Sequence, residues 1–405
     1  MTGTRKGRGP LARPLLRKGS AGGWKGEGAV PLPLTRSAAL VLALALLGGT
    51  AAAQEPPPPR PEDPETKALR QTLELLYQEV VVAGRDLGDS PHFQEIDSGD
   101  AKELDRLHDI LMDIGTPESQ KIAAVRVLEA WRREESVYPL MLTMNDPAED
   151  YRVRAEILER VGNFGDDRVV IPLVQTLKGK ETRLHGPAAR SLSRFGDNER
   201  TQRNFRVLVV SPDPSTRGWT ARAIGWSGWK DGGELLLESA ARETDPTALG
   251  RIFLALAELR VPEGIERAVA GLAHPGEEAR ALAAEALGIY SEMAREKGLE
   301  PLLAVVENEG ESEGVRGVAA GELPDIAPDS DDVAKRLLRQ MGHPSDPLNL
   351  AIKVALRRMA SRWLVVALIE VLANPKEHER RRFGAWQVLR AISGRDMPQE
   401  AGKWA

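Results

Sequence analysis

The stretch Asp146-Pro-Ala-Glu-Asp-Tyr-Arg-Val153-Arg154-Ala-Glu-Ile157-Leu158-Glu-Arg-Val161-Gly162, followed closely by Val169-Val-Ile-Pro172-Leu-Val174, decides the fold. Val153, Ile157, Leu158 and Val161 fall at i, i+4, i+5 and i+8, one face of a helix, and Gly162 reads as its terminator. A polar residue before Pro147 reads as an N-cap with proline at the first helical position, where the missing N–H costs nothing. The second segment is apolar nearly throughout and carries Pro172 in its first turn, where proline is tolerated. Together these make one helix–turn–helix unit.

The unit recurs. Asp146-Pro147, Asp213-Pro214, Asp245-Pro246, His274-Pro275, His343-Pro344 and Asn374-Pro375 each precede a helical pattern, with prolines 67, 32, 29, 69 and 31 residues apart. Those intervals are one or two units of about 30–35 residues, the range of helical repeats. One-face helices recur at the unit interval, with or without a mark: Ala188/Leu192/Phe195 before Gly196, Ile252/Leu256/Leu259, Ala279/Ala283/Leu287 before Gly288, Val315/Ala319/Leu323, Ile352/Leu356/Met359 and Ala385/Leu389/Ile392. A second, more apolar helix follows in each unit, as in 299–306 and 364–369, and Pro139, Pro172 and Pro301 take one early slot in it. No such unit buries its apolar faces alone, so stacked neighbours must supply a continuous core. The pattern predicts an all-α fold, an armadillo-type α-solenoid of about eight units over residues 116–394.

The Val-Arg pairs Val125-Arg126, Val153-Arg154 and Val315-Arg316, the Ala/Leu positions after them, and Ile171-Pro-Leu-Val174 resemble the HEAT and HEAT-like (phycobilisome-lyase-type) repeat family. The resemblance covers about two-thirds of the chain and is specific for architecture rather than activity. It implies that the helices bearing the Val-Arg pairs line the concave side. Two units depart from it: the fourth carries Trp219, Trp226 and Trp229, and the seventh carries Pro324, which is expected to break its helix early.

The flanks read differently. Residues 1–53 carry eight Lys/Arg against Glu27 alone, a net of +7, so residues 54–405 hold −12 of the total −5. The basic stretch ends at Arg36 before an apolar run at 38–47 and the small residues Ala51-Ala52-Ala53, the layout of a secretory signal peptide cleaved between Ala53 and Gln54. The apolar run is about ten residues, short of the roughly 20 a membrane span needs. Its n-region is oddly long, and initiation at Val30 from a GTG codon, in a bacterium, would leave a signal of ordinary length. Residues 54–65 read as a Pro-rich linker. Residues 66–115 read as an N-terminal helical cap, with Leu69, Leu73, Leu76 and Val80 on one face and Leu104, Leu107 and Leu111 on another; residues 395–405 read as a tail.

Cysteine is absent, which excludes disulfides and thiolate metal sites. The six His residues show no helical metal-ligand spacing, and His274 and His343 fall in cap slots. No phosphate loop or G-x-S-x-G is present, so no cofactor, metal or catalytic residue is assigned and the chain reads as a non-enzyme. The acidic body disfavours nucleic acid. The basic clusters Arg357-Arg358 and Arg380-Arg381-Arg382 read as solvated faces.

Two groups remain as candidate protein-binding residues. Arg154, Arg280 and Arg316 stand eight residues before the slots at 162, 288 and 324, in register along one side. They form either a ladder gripping an acidic partner or, the weightier reading, inter-repeat pairs with Asp/Glu. Trp219, Trp226 and Trp229, at i, i+7 and i+10, form either an exposed hot spot or core packing between repeats. The function expected is an exported, periplasmic or extracellular scaffold binding another envelope protein or peptide. The resemblance also admits a lyase-type enzyme with a concave-face pocket, although bilin lyases and the HEAT-like DNA glycosylases work in the cytoplasm. A third reading is a structural envelope protein that self-associates through uncapped repeat ends, and membrane contact is expected only through the signal or an uncleaved anchor.

Overall fold

The computed structural model describes residues 63–96, 100–396 and 398–404. The readings at Val30, at the Ala53–Gln54 cleavage site and over most of the Pro-rich stretch lie outside the described residues.

Twenty α-helices, and no strand, occupy the described residues. They form two layers. Layer A holds α1 (Pro64–Tyr77), α4 (Glu118–Trp131), α6 (Tyr151–Arg160), α8 (His185–Ser193), α10 (Pro214–Ser227), α12 (Pro246–Glu258), α14 (Glu277–Tyr290), α16 (Glu313–Ile326), α18 (Asp346–Arg358) and α20 (Glu379–Ser393), each packed on the next. Layer B holds α3 (Ala101–Met112), α5 (Val137–Asn145), α7 (Val170–Lys178), α9 (Glu199–Leu208), α11 (Gly232–Ala240), α13 (Glu263–Gly271), α15 (Arg295–Glu307), α17 (Asp331–Gln340) and α19 (Arg362–Ala373). A four-residue helix, α2 (Pro91–Gln94), lies between α1 and α3. Each A helix pairs with the B helix after it, which makes an α-solenoid. Eight such pairs follow residue 116, and α1 with α3 extends both layers by one pair before it.

The core is the strip between the layers. Leu69, Leu73, Leu76 and Val80 of the first A segment are buried, as are Val153, Ile157 and Leu158 of α6 and Ala385, Val388 and Leu389 of α20. At about 25 cal/mol per Å² of apolar surface, these one-face stripes supply the drive that no single pair could supply alone.

Four local readings are corrected by the structure. Asp213 and Asp245 do cap α10 and α12, accepting from Thr216 N at 2.7 Å and Ala248 N at 2.8 Å, with proline next. The other marks sit in the turn before the helix. Asp146, His274, His343 and Asn374 each accept the N–H two residues on, at 2.9–3.1 Å, closing a turn that Pro cannot interrupt because the donor lies beyond it. Gly162, Gly196 and Gly288 are not left-handed terminators; they are crossing points. A Cβ there would stand 2.7 Å from Ser191 O, 2.4 Å from Ser227 Cβ and 2.9 Å from Glu322 Cβ respectively. Pro301 lies inside α15, because that helix starts earlier, at Arg295. Pro324 does not break α16, which continues to Ile326; a proline in the last turn removes one N–H without ending the helix.

The glycine crossings are concentrated in layer A. Cβ atoms on Gly218 and Gly225 would stand 3.0 and 2.7 Å from Ala248 Cα and Ala255 Cα, so α10 and α12 meet backbone to backbone. Layer B helices are less closely apposed. Closer spacing in one layer bends a stack toward it, so layer A, with its Val-Arg helices, takes the inner side.

Candidate binding pocket

The Arg residues singled out by register are tied into the stack. Arg154 donates to Met144 O at 3.1 Å and Glu181 at 2.7 Å. Arg280 makes a two-pronged pair with Glu311 at 2.7 Å and reaches the His274 and Pro275 carbonyls. Arg316, only 2% exposed, donates to Val306 O at 2.9 Å and to Gln340 at 3.2 Å. The slot is the fourth residue after the helix N-cap, from which a long cation reaches the preceding turn's carbonyls and, for Arg154 and Arg280, the carboxylate ahead of the next A helix. Arg217 fills the same slot, with Glu243 at 2.7 and 2.6 Å and the Ser211 and Pro212 carbonyls. Lys121, also buried, fills it with Glu149. Sequence reasoning missed both, although Arg217 stands eight residues before Gly225, the interval used for the others. With donors engaged inside the fold, these residues offer a partner little.

The tryptophans separate. Trp229 lies beyond Gly228, the left-handed residue that ends α10, and turns into the core, 8% exposed and stacked on Phe205 at 6.2 Å. Trp219 and Trp226 stay on α10, seven residues apart and so on one face, half-buried, with ring centroids 6.3 Å apart. They wall an open pocket of about 450 Å³ whose other sides are Glu159 of α6, Thr182 and Arg183 of the turn leading into α8, Gly186, Pro187 and Arg190 of α8, Ser215, and Arg251 of α12.

Guanidinium groups cover the rings. Arg251 lies 4.1 Å from the Trp219 centroid, and Arg190 and Arg222 lie 4.4 and 4.7 Å from that of Trp226. Arg190 pairs with Glu159 at 2.7 Å, Arg222 with Glu258 at 2.9 Å, and Arg183 with Glu181 at 2.6 Å while stacking on Tyr151 at 3.9 Å. Arg251 has no carboxylate among the described residues within ion-pair distance. Burial lowers the affinity of Arg251 and Arg222 for their protons relative to ordinary arginine, although a guanidinium stays charged throughout the working range. Gly186, Arg190 and Arg251 were not legible as site residues, because no motif or period marks them.

Carboxylates run along the same inner layer. Burial pushes Glu159 and Glu258 above the usual range, with Arg190 and Arg222 respectively pulling them back. Glu322 of α16 lies against Gly288, and burial, reinforced by Asp325 and Glu285, raises it to about 7, against the pull of Arg358.

No protein-family model matches the chain. No curated protein matches it either. Several solved structures are similar. Human deoxyhypusine hydroxylase in complex with glycerol is 18% identical with a TM-score of 0.31, over 64% of this chain and 96% of that one. Kap121p bound to Nup53p is 15% identical with a TM-score of 0.45, over 82% of this chain and 41% of that one. The complex of CpcE and CpcF of phycocyanin lyase from Nostoc sp. PCC7120 is 17% identical with a TM-score of 0.35, over 63% of this chain and 94% of that one. Likeness at this level concerns the helical stack alone, and the fold assignment stands on the stacked pairs themselves. By that architecture the described residues form an α-solenoid of HEAT-like helix–turn–helix repeats.

Proposed function

We propose that the chain is an exported, non-enzymatic scaffold that holds another protein of a bacterial cell envelope on its inner layer. The observation that carries this reading is the half-buried Trp219–Trp226 pair, set in an open pocket assembled from four successive inner-layer segments. Large aromatic side chains left partly uncovered beside arginines are the composition of interaction hot spots. The repeats themselves do not require tryptophan there. Export is supported by the signal-like run ahead of Ala53.

A photoreactive residue introduced at Arg183, on the pocket rim, tests the scaffold in the native cell, with one at the exposed Leu142 of layer B as reference. One stoichiometric envelope protein crosslinked from position 183 and not from 142 is expected. No adduct at 183, or the same adducts from both positions, would overturn the reading. Export is checked separately by N-terminal sequencing of the mature chain, which is expected to begin at Gln54.

A further inference from the structure

We infer that the pocket receives a carboxylate of the partner polypeptide, with Arg251 as its counter-ion. This rests on the scaffold reading above and adds the chemistry that would be recognised.

Arg251 differs from its neighbours. Arg154, Arg217, Arg222 and Arg280 each have a carboxylate within 2.9 Å, whereas Arg251, equally part of layer A and half-buried, has none among the described residues. Glu278 and Asp245 act on it only from beyond ion-pair distance, so this half-buried charge lacks a direct partner that an incoming anion would supply. The side chain is also held in place. Its stem crosses Gly218, where a Cβ would stand 3.0 Å from Arg251 Cδ, and its head stacks over Trp219 at 4.1 Å. Stacking occupies the face of a guanidinium and leaves the edge N–H donors for a two-pronged carboxylate.

Charge points the same way. Of the lining arginines, Arg183 is paired with Glu181 and Arg190 with Glu159, which leaves Arg251 as one net positive charge within a region carrying −12 over residues 54–405. Repulsion by the surrounding acidic surface disfavours a densely charged polyanion, while a single carboxylate on an apolar chain satisfies both Arg251 and the two indoles. The lining is drawn from α6, α8, α10 and α12 in turn, which suits a polypeptide laid across helices. Two sources share this chemistry, a chain terminus and an acidic side chain.

Calorimetric titration of the full chain separates them with four probes: a free-acid pentaalanyl-leucine, its C-terminal amide, the same amide with one central alanine replaced by glutamate, and an amidated hexalysine, with inorganic phosphate as a fifth, small-anion arm. Binding of the free acid but not its amide assigns a terminal carboxylate, and binding of the glutamate-bearing amide assigns an acidic side chain. In either case Arg251→Gln is expected to weaken binding by about tenfold or more, with the melting temperature unchanged or raised. Arg183→Gln, whose charge is already paired, is expected to weaken it less than about threefold. Unchanged binding to Arg251→Gln, equal binding of hexalysine or of the C-terminal amide alone, phosphate binding as tight as the peptides, or no binding by any probe to about 1 mM would each overturn the inference. Partner capture at position 183 that ignores Arg251→Gln would leave the scaffold standing and remove this inference. Peptide binding without any captured partner would do the reverse.

Discussion

The six-membered edge of Trp219 rests on the backbone of Gly186: a Cβ built there would stand 3.0 Å from Trp219 Cη2 and 3.1 Å from Cζ2. The ring that walls the pocket is therefore seated by the absence of a side chain one repeat earlier. Gly186→Ala is expected to push the indole outward by a few tenths of an ångström and to weaken pocket binding about three- to tenfold. Stability should hold or rise, since alanine favours a helix by up to about 1 kcal/mol over glycine. Fluorine NMR of 5-fluorotryptophan protein, with the signal of residue 219 assigned through Trp219→Phe, reads the movement directly. An unmoved signal would refute this seating.

Trp229 and Trp226 should part company under truncation. Trp229→Ala empties a core site against Phe205 and is expected to cost about 3–5 kcal/mol in urea unfolding. Trp226→Ala removes a half-buried ring and its cation contacts, and is expected to cost about 1–2 kcal/mol. Equal losses would mean that Trp226 is core and that the pocket is a by-product of packing.

Arg217→Ala is expected to destabilise by roughly 3 kcal/mol, because it strands the Glu243 carboxylate, whose side chain is 3% exposed, and two turn carbonyls. Arg152→Ala, whose pair with Glu118 is 61% exposed on the arginine side, should leave the urea midpoint nearly unchanged. The same pairing, with the turn N–H donors, holds Glu243 below its ordinary value against its burial. Its contribution is present above the unfolded value of 4.5 and lost as pH falls through the lower folded value. Urea midpoints from pH 6 down to 3 test this, and an Arg217→Ala penalty that survives at the lowest pH would count against it.

Glu322 acts with the opposite sign. Its folded value is about 7 against 4.5 unfolded, so the folded chain binds the extra proton between them. Its contribution is full below pH 4.5 and is lost as pH rises through 7. Glu322→Gln is expected to make the chain more stable at pH 8, by about 1–2 kcal/mol after allowance for solvent screening, and about neutral at pH 4.5. Chemical unfolding at both values checks it. A variant no more stable at pH 8 would mean that the carboxyl is better solvated than its place against Gly288 implies.

Much of the architecture was legible. Apolar spacing located the A helices, because a buried stripe must recur every three to four residues wherever it is stacked. Glycines at repeat ends were visible but misread: Gly162 and Gly288 look like terminators in one dimension, and only the neighbouring helix shows that Ser191 and Glu322 press on them. The marks at Asp146 and His274 were misplaced for a related reason, since a turn closed by a side chain and a helix N-cap use the same residues. Of the pocket, the two tryptophans were noticed and the arginine that distinguishes it was not.

The amino-acid sequence by itself determined the repeat, its length and its buried faces, since these follow from local helix geometry and from the cost of exposed apolar surface. It also carried the charge contrast between residues 1–53 and the rest. Only the tertiary structure decided which charged and aromatic residues are free. Arg154 and Arg251 have equal charge and both lie on layer A, yet one pairs with Glu181 and the other lies over Trp219 with Glu278 and Asp245 beyond ion-pair distance. That difference depends on which side chain of the next repeat arrives within a few ångströms. Packing register sets it, and helical periodicity is blind to it.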